Sequence, residues 1–137
     1  MLPATIAARI AEGDLDELDE VERASVAVVV VLGLGGLVRS SDIRRSRDLV
    51  DRVHEELDRL AAVHGLDRVK VVGDAYFAAC GHDRPFIDHA PRVVAFAADA
   101  REAIRELGTD WAPLDAAVGI HTGPVTVGMT GGTRLLY

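Results

Sequence analysis

From Val26 to Val38 the chain carries no charged residue, and the overlapping stretch Ser25 to Leu32 is valine-rich, unbroken and without alternation. A run of this kind reads as a strand with neighbours on both sides and both faces buried. Any sheet this chain builds should therefore have Ser25–Leu32 at its centre. The apolar run is 13 residues long, short of the about 20 that cross a bilayer. It also sits too far from the N-terminus, and lacks the flanks, for a signal peptide. No membrane insertion and a cytoplasmic location are expected. The 137 residues suffice for one domain with a real core, and 49% hydrophobic with 27% charged residues describe a folded protein. A net charge of −7, with basic residues clustered only at Arg44-Arg45 and Arg47, excludes nucleic acid as the main partner. The one cysteine, Cys80, cannot form an internal disulfide and reads as a small buried hydrophobe in a reducing compartment.

The remaining elements follow from periodicity and punctuation. Leu2-Pro3-Ala4-Thr5 opens a short amphipathic helix that stops at Gly13, and the acidic run Asp14 to Glu22 reads as a solvated linker. Residues 1–22 thus form a lead-in to a domain over 23–137. Ile43 to His64 is a helix, with Val50, Val53, Leu57, Leu60 and Ala61 on one stripe, Asp42 at the N-cap and Gly65 just past the end. His64 then compensates the helix dipole in the last turn. Val69 to Cys80 is a hairpin turning at Gly73-Asp74, with Val69 and Val71 on one face and Lys70 and Val72 on the other. Lys70 and Asp74 can both reach one spot at the sheet's end. A point charge and a hard oxygen ligand there suit a nucleotide with Mg²⁺.

A second helix starts at Asp88, with Pro91 in its first turn, and runs to Leu107 and Gly108. Val93, Ala97, Ala100, Ile104 and Leu107 face inward. His82, Asp83, Asp88 and His89 match no zinc spacing. Trp111 should cover a core edge. Leu114–His121 and Val125–Met129 read as two strands joined by a turn at Thr122-Gly123-Pro124, with His121 structural at that turn, since no carboxylate or nucleophile lies near it in sequence. Gly33-Leu34-Gly35-Gly36, following a strand, is half of a dinucleotide fingerprint, but the third glycine is absent and the helix starts only after Ser40-Ser41-Asp42. A loop closing over the sheet is the commoner reading.

Three stretches carry a resemblance: Leu2 to Gly13, Val69-Lys70-Val71-Val72-Gly73-Asp74-Ala75-Tyr76, and Gly119-Ile120-His121-Thr122-Gly123-Pro124-Val125. In order and spacing the chain resembles the class III nucleotide cyclase catalytic domains, the adenylate and guanylate cyclases, over nearly its whole length. The resemblance implies an α+β, ferredoxin-like (split βαβ) fold, mostly antiparallel, with two long helices on one face and a linker helix before it. It implies ATP or GTP as substrate in cyclic-nucleotide signalling, Mg²⁺ or Mn²⁺ as cofactor, an upstream sensor or membrane module, and a dimer with active sites at its interface. Lys70 matches the residue that reads the base, and Asp74 matches one of two aspartates that share a pair of metal ions. The other aspartate belongs where Gly33 stands, in front of a phosphate loop Leu34-Gly35-Gly36-Leu37. The purine-reading aspartate and the asparagine and arginine of the transition state would follow Tyr137. No catalytic residue is assigned, and the chain alone is expected to be inactive. The alternatives are a non-catalytic dimerising or regulatory domain, and the base-recognising half of a heterodimer, with a homodimer or heterodimer as the assembly.

Overall fold

The computed structural model describes residues 19–35, 42–81 and 86–127. The expected helix Leu2–Gly13, the acidic residues 14–18, Gly36 and Leu37, His82 and Asp83, and the end from 128 to Tyr137 lie outside them. Six elements follow in order among the described residues: β1 (Asp19–Leu32), α1 (Ile43–His64), β2 (Asp67–Val72), β3 (Ala75–Cys80), α2 (His89–Leu107) and β4 (Asp115–Val127). The sheet order is β2-β3-β1-β4, with every neighbouring pair antiparallel. This is the α+β split βαβ plan that the resemblance implies.

β1 is central, as its valines require, but it is not buried on both faces. Ala27, Val29 and Val31 lie in the core with Leu57, Phe96 and Ile104 of the two helices, while Val26, Val28 and Val30 are half-buried and Leu32 is 46% exposed. Among the described residues the helices therefore cover one side of the sheet. β1 also begins at Asp19, inside the segment read as linker, because Asp19, Glu20 and Val21 pair with Val127, Thr126 and Val125. The expected turn at Thr122-Gly123-Pro124 is not there: β4 runs straight through it. Val21 pairs with Val125 and Ala24 with Gly123, so Glu22 and Arg23 oppose Pro124 in a bulge. A bulge on the partner strand lets an edge-strand proline pass without a ladder donor.

α1 has the bounds its periodicity predicts, and Leu49, Val53, Leu57, Leu60 and Ala61 are its buried residues. The Arg45 N–H donates to Asp42 Oδ1 (3.0 Å), and Gly65 closes the helix in the left-handed region at φ +77°. His64 Nε2 lies 2.7 Å from Asp99 Oδ2 and ties α1 to α2. At the other helix, Asp88 sits at the N-cap position, yet its carboxylate accepts from Arg92 Nε (2.9 Å) and caps no backbone N–H. Gly108 is extended, and it is glycine because a β-carbon there would lie 2.6 Å from the Leu114 N–H nitrogen. Trp111 does not cover the core edge; Ala112 and Leu114 do, and the indole, 38% exposed, lies under the Arg45 guanidinium 4.3 Å from its centroid. Among the described residues no helix is long and apolar enough to cross a membrane.

Two polar links stitch the layers. Ser25, fully buried on β1, has its Oγ 2.7 Å from His89 Nδ1 on α2 and 2.7 Å from Thr122 Oγ1 on β4, so its proton and one lone pair can both be matched. The buried Tyr76 hydroxyl donates to Asp58 Oδ1 (2.7 Å), whose other oxygen lies 3.5 Å from Arg68 Nη1. Burial, reinforced by the Asp58 carboxylate, raises the Tyr76 pKa above its ordinary value. Tyr76→Phe should lower stability by about 1 kcal/mol, read from the urea midpoint at neutral pH, since the half-exposed Asp58 regains water when it loses its donor.

Candidate functional site

β2 and β3 meet at the exposed pair Gly73-Asp74, with Gly73 at φ +57°. The turn is fastened to the central strand: the Val31 N–H donates to the Asp74 carbonyl oxygen at 2.9 Å. Asp74 is thus held beside the last residues of β1, and Gly33 follows two residues after Val31. The hairpin and the end of β1 come together as the sequence suggests, and they form one corner of the sheet.

Gly33 takes φ +104°, a conformation that L side chains rarely adopt. A β-carbon there would run into the Pro113 carbonyl oxygen and come within 3.2 Å of Leu114 Cδ2. Position 33, where the resemblance expects a carboxylate, has no room for a side chain in this backbone. Beyond it, Leu34 packs against the core and Gly35 is open, with both already helical in backbone; Gly36 and Leu37 of the expected phosphate loop lie outside the described residues.

Another carboxylate does stand close in register, because Asp115 pairs with Leu32. It is fully engaged: Arg105 donates to it from Nε (2.9 Å) and Nη2 (3.1 Å), Arg101 from Nε (3.3 Å), and its neighbour's Ala116 N–H at 2.7 Å. Arg105 first, then the Ala116 N–H, hold the Asp115 carboxyl well below the usual carboxylate range. Among the described residues no group of three or more His, Cys, Asp or Glu could hold a metal ion. Among the described residues Asp74 is left as the carboxylate at this corner available to a cation, and these residues do not fit a pair of ions sharing two aspartates.

Lys70 lies on the face of the sheet that no described helix covers. Its Nζ sits 4.9 Å from the centroid of Phe77, its cross-strand partner. Val72 shares that face and is exposed, while Val71 packs against the core, as alternation predicts; Val69 falls in the register shift between Arg68 and Lys70. Phe77 belongs to no motif, although a two-residue turn at Gly73-Asp74 fixes the Lys70–Phe77 pairing by arithmetic. Asp115 and Pro113 gave no such signal, since their contacts to α2 and Gly33 are made only in the fold. His121 is exposed on the same uncovered side, in strand and not in a turn. His89, far from this corner, is bonded to Ser25.

Two outcomes follow from this geometry. Gly33→Asp should destabilise the domain by at least about 1–3 kcal/mol, seen as a lower thermal midpoint, because it needs a disfavoured φ and displaces Pro113. Asp115, whose folded pKa is depressed, contributes stability at neutral pH that is lost as pH falls below about 4. The gap in urea midpoint between the unaltered protein and Asp115→Asn should therefore be widest near pH 6 and close towards pH 2.

The family profile described as the Adenylate and Guanylate cyclase catalytic domain matches residues 19–137. An adenylate cyclase of Mycobacterium tuberculosis (strain ATCC 25618 / H37Rv) is 33% identical over 139 residues, covering 100% of this chain and 31% of that protein. The guanylate cyclase soluble subunit beta-2 of Rattus norvegicus is 30% identical over 133 residues, covering 96% of this chain and 20% of its own length. The chain thus spans less than a third of these relatives. Among solved structures, the guanylate cyclase domain of RhGC from Catenaria anguillulae, in complex with GTP, superposes with a TM-score of 0.79 at 26% identity, covering 86% of this chain and 65% of that one. The adenylyl cyclase CyaB from P. aeruginosa gives 0.78 at 25% identity, covering 88% and 66%.

Proposed function

Because the chain belongs to the adenylate and guanylate cyclase catalytic domain family, we propose that it serves cyclic-nucleotide signalling as a paired cyclase domain that is silent alone. The observation that carries this reading is Gly33. Where the resemblance places the first metal aspartate there is no side chain, a backbone turned to φ +104°, and a carbonyl where a β-carbon would go. Two-ion chemistry at a triphosphate needs carboxylates to hold both ions, and Asp74 by itself can supply only part of one coordination shell.

Pairing is supported by the uncovered face. Val26, Val28 and Val30 with Phe77 form a half-buried apolar band, and Val72 and Leu32 extend it to the site's corner, 59% and 46% exposed. A contiguous apolar surface beside a functional corner is the mark of an interaction site. A second cyclase domain, identical or not, would remove it from water.

Within such a pair Lys70 gives this domain its part. An ammonium on the interface face can donate to a purine edge while the partner's carboxylates hold the cations, which favours the base-recognising half of a heterodimer over a purely regulatory role. Incubated alone with ATP or GTP and Mg²⁺ or Mn²⁺, the protein should release no cyclic nucleotide. Mixed with a cyclase domain that keeps both metal aspartates but has lost its base-reading lysine, it should restore product, and Lys70→Ala should abolish the restoration. Turnover by the unaltered protein alone would overturn the silent reading; a mixture that stays inactive while the two domains co-sediment would leave the regulatory role in its place.

A further inference from the structure

Lys70 is the chain's one lysine; the other 14 of its 15 basic residues are arginine. Arginine forks serve the ion pairs along α1 and α2 and at the start of β4. The compact ammonium is used at a single place, and there it meets an aromatic ring instead of a carboxylate. Among the described residues Lys70 makes no ion pair, although Asp74 stands only four positions away round a tight turn. The geometry points to Phe77 as the positioning residue for Lys70: its ring holds the ammonium on the open face of the sheet and keeps it from collapsing onto Asp74. This rests on the reading that Lys70 faces a nucleotide.

The sheet is built for this contact. In one row across it stand Lys70, Phe77, Val28 and Gly119, on β2, β3, β1 and β4. Along β3, the residues two before and two after Phe77 are alanines, Ala75 and Ala79, and Gly119 leaves open space where a β-carbon would be. The ring is the one bulky side chain at the middle of the band. Its face is open to a cation from the neighbouring strand, which the ring quadrupole attracts. A salt bridge across the turn would neutralise both groups at once, leaving no donor for a base and no free carboxylate for a cation. A neutral ring attracts the ammonium without consuming its charge, so the protons turned away from the ring can still point to an acceptor. Phe77 lies outside the buried core cluster, so exchanging it need not unfold the domain.

The test uses the absence of other lysines, which makes the Lys70 ε-methylene signal identifiable without assignment. In the unaltered protein that signal should lie upfield of its position in an unfolded chain, through the ring current of Phe77. It should return to that position in Phe77→Leu and stay shifted in Phe77→Tyr. Affinity for ATP and for GTP, measured by calorimetry with the full chain, should fall about three- to fivefold in Phe77→Leu and stay within about twofold in Phe77→Tyr. Lys70→Ala should mask the effect, with the double variant no weaker than Lys70→Ala alone. An unshifted ε-methylene, or a Phe77→Leu loss that adds in full to Lys70→Ala, would overturn the positioning role. If neither nucleotide binds the unaltered protein while the ε-methylene is ring-shifted, Phe77 holds Lys70 as stated and the nucleotide reading is what falls.

Discussion

β1 is the strand through which every other part of this domain acquires its position. It is hydrogen-bonded along one edge to β3 over Ser25–Val30 and along the other to β4 from Asp19 to Leu32. Backbone donors and acceptors buried in this way cannot be left unmatched, so the placement of β1 dictates the register of both neighbours. The corner at Asp74 and Gly33 is where that constraint ends. Past the last β3 pair, the Val31 N–H turns to the Asp74 carbonyl oxygen, and past the last β4 pair the chain turns at Gly33 under Pro113. Helix packing then acts on one side only, through Ala27, Val29 and Val31.

What the sequence made legible was whatever depends on local chemistry. The bounds of α1 follow from a 3.6-residue period closed by Asp42 and Gly65, and the Lys70–Phe77 register follows from a two-residue turn. The centrality of β1 follows from its valines. The features that were not legible are non-local. A proline inside β4 reads as a turn until a bulge at Glu22-Arg23 on another strand is seen to accommodate it. Asp19 to Val21 carry no strand pattern and are drawn into the sheet by β4. Trp111, a natural core residue by type, is displaced by the smaller Ala112 and Leu114 and is stacked by an arginine 66 residues earlier in the chain.

The valine run also shows what a sequence cannot separate. Unbroken hydrophobicity signals burial on both faces, and among the described residues helices cover β1 on one. The two statements agree if the second face is a contact surface, because burial by a second molecule and burial by a helix place the same demand on side chains. Small residues at Ala75, Ala79 and Gly119 keep that face shallow around Phe77, while the only charged side chain in its central row is Lys70.

Gly33 is fixed by its surroundings as much as by its own freedom. Once no β-carbon stands at this position, the backbone is free to take φ +104° and the Pro113 carbonyl can close in. The connection carrying Pro113 is in turn held at several points: Arg45 over Trp111, Arg101 and Arg105 on Asp115, and the close approach of Leu114 to Gly108. A side chain at position 33 would meet the Pro113 carbonyl and Leu114 of this anchored connection. A carboxylate placed there would oppose a strained dihedral and a packed connection together, so the surrounding structure favours glycine at this position.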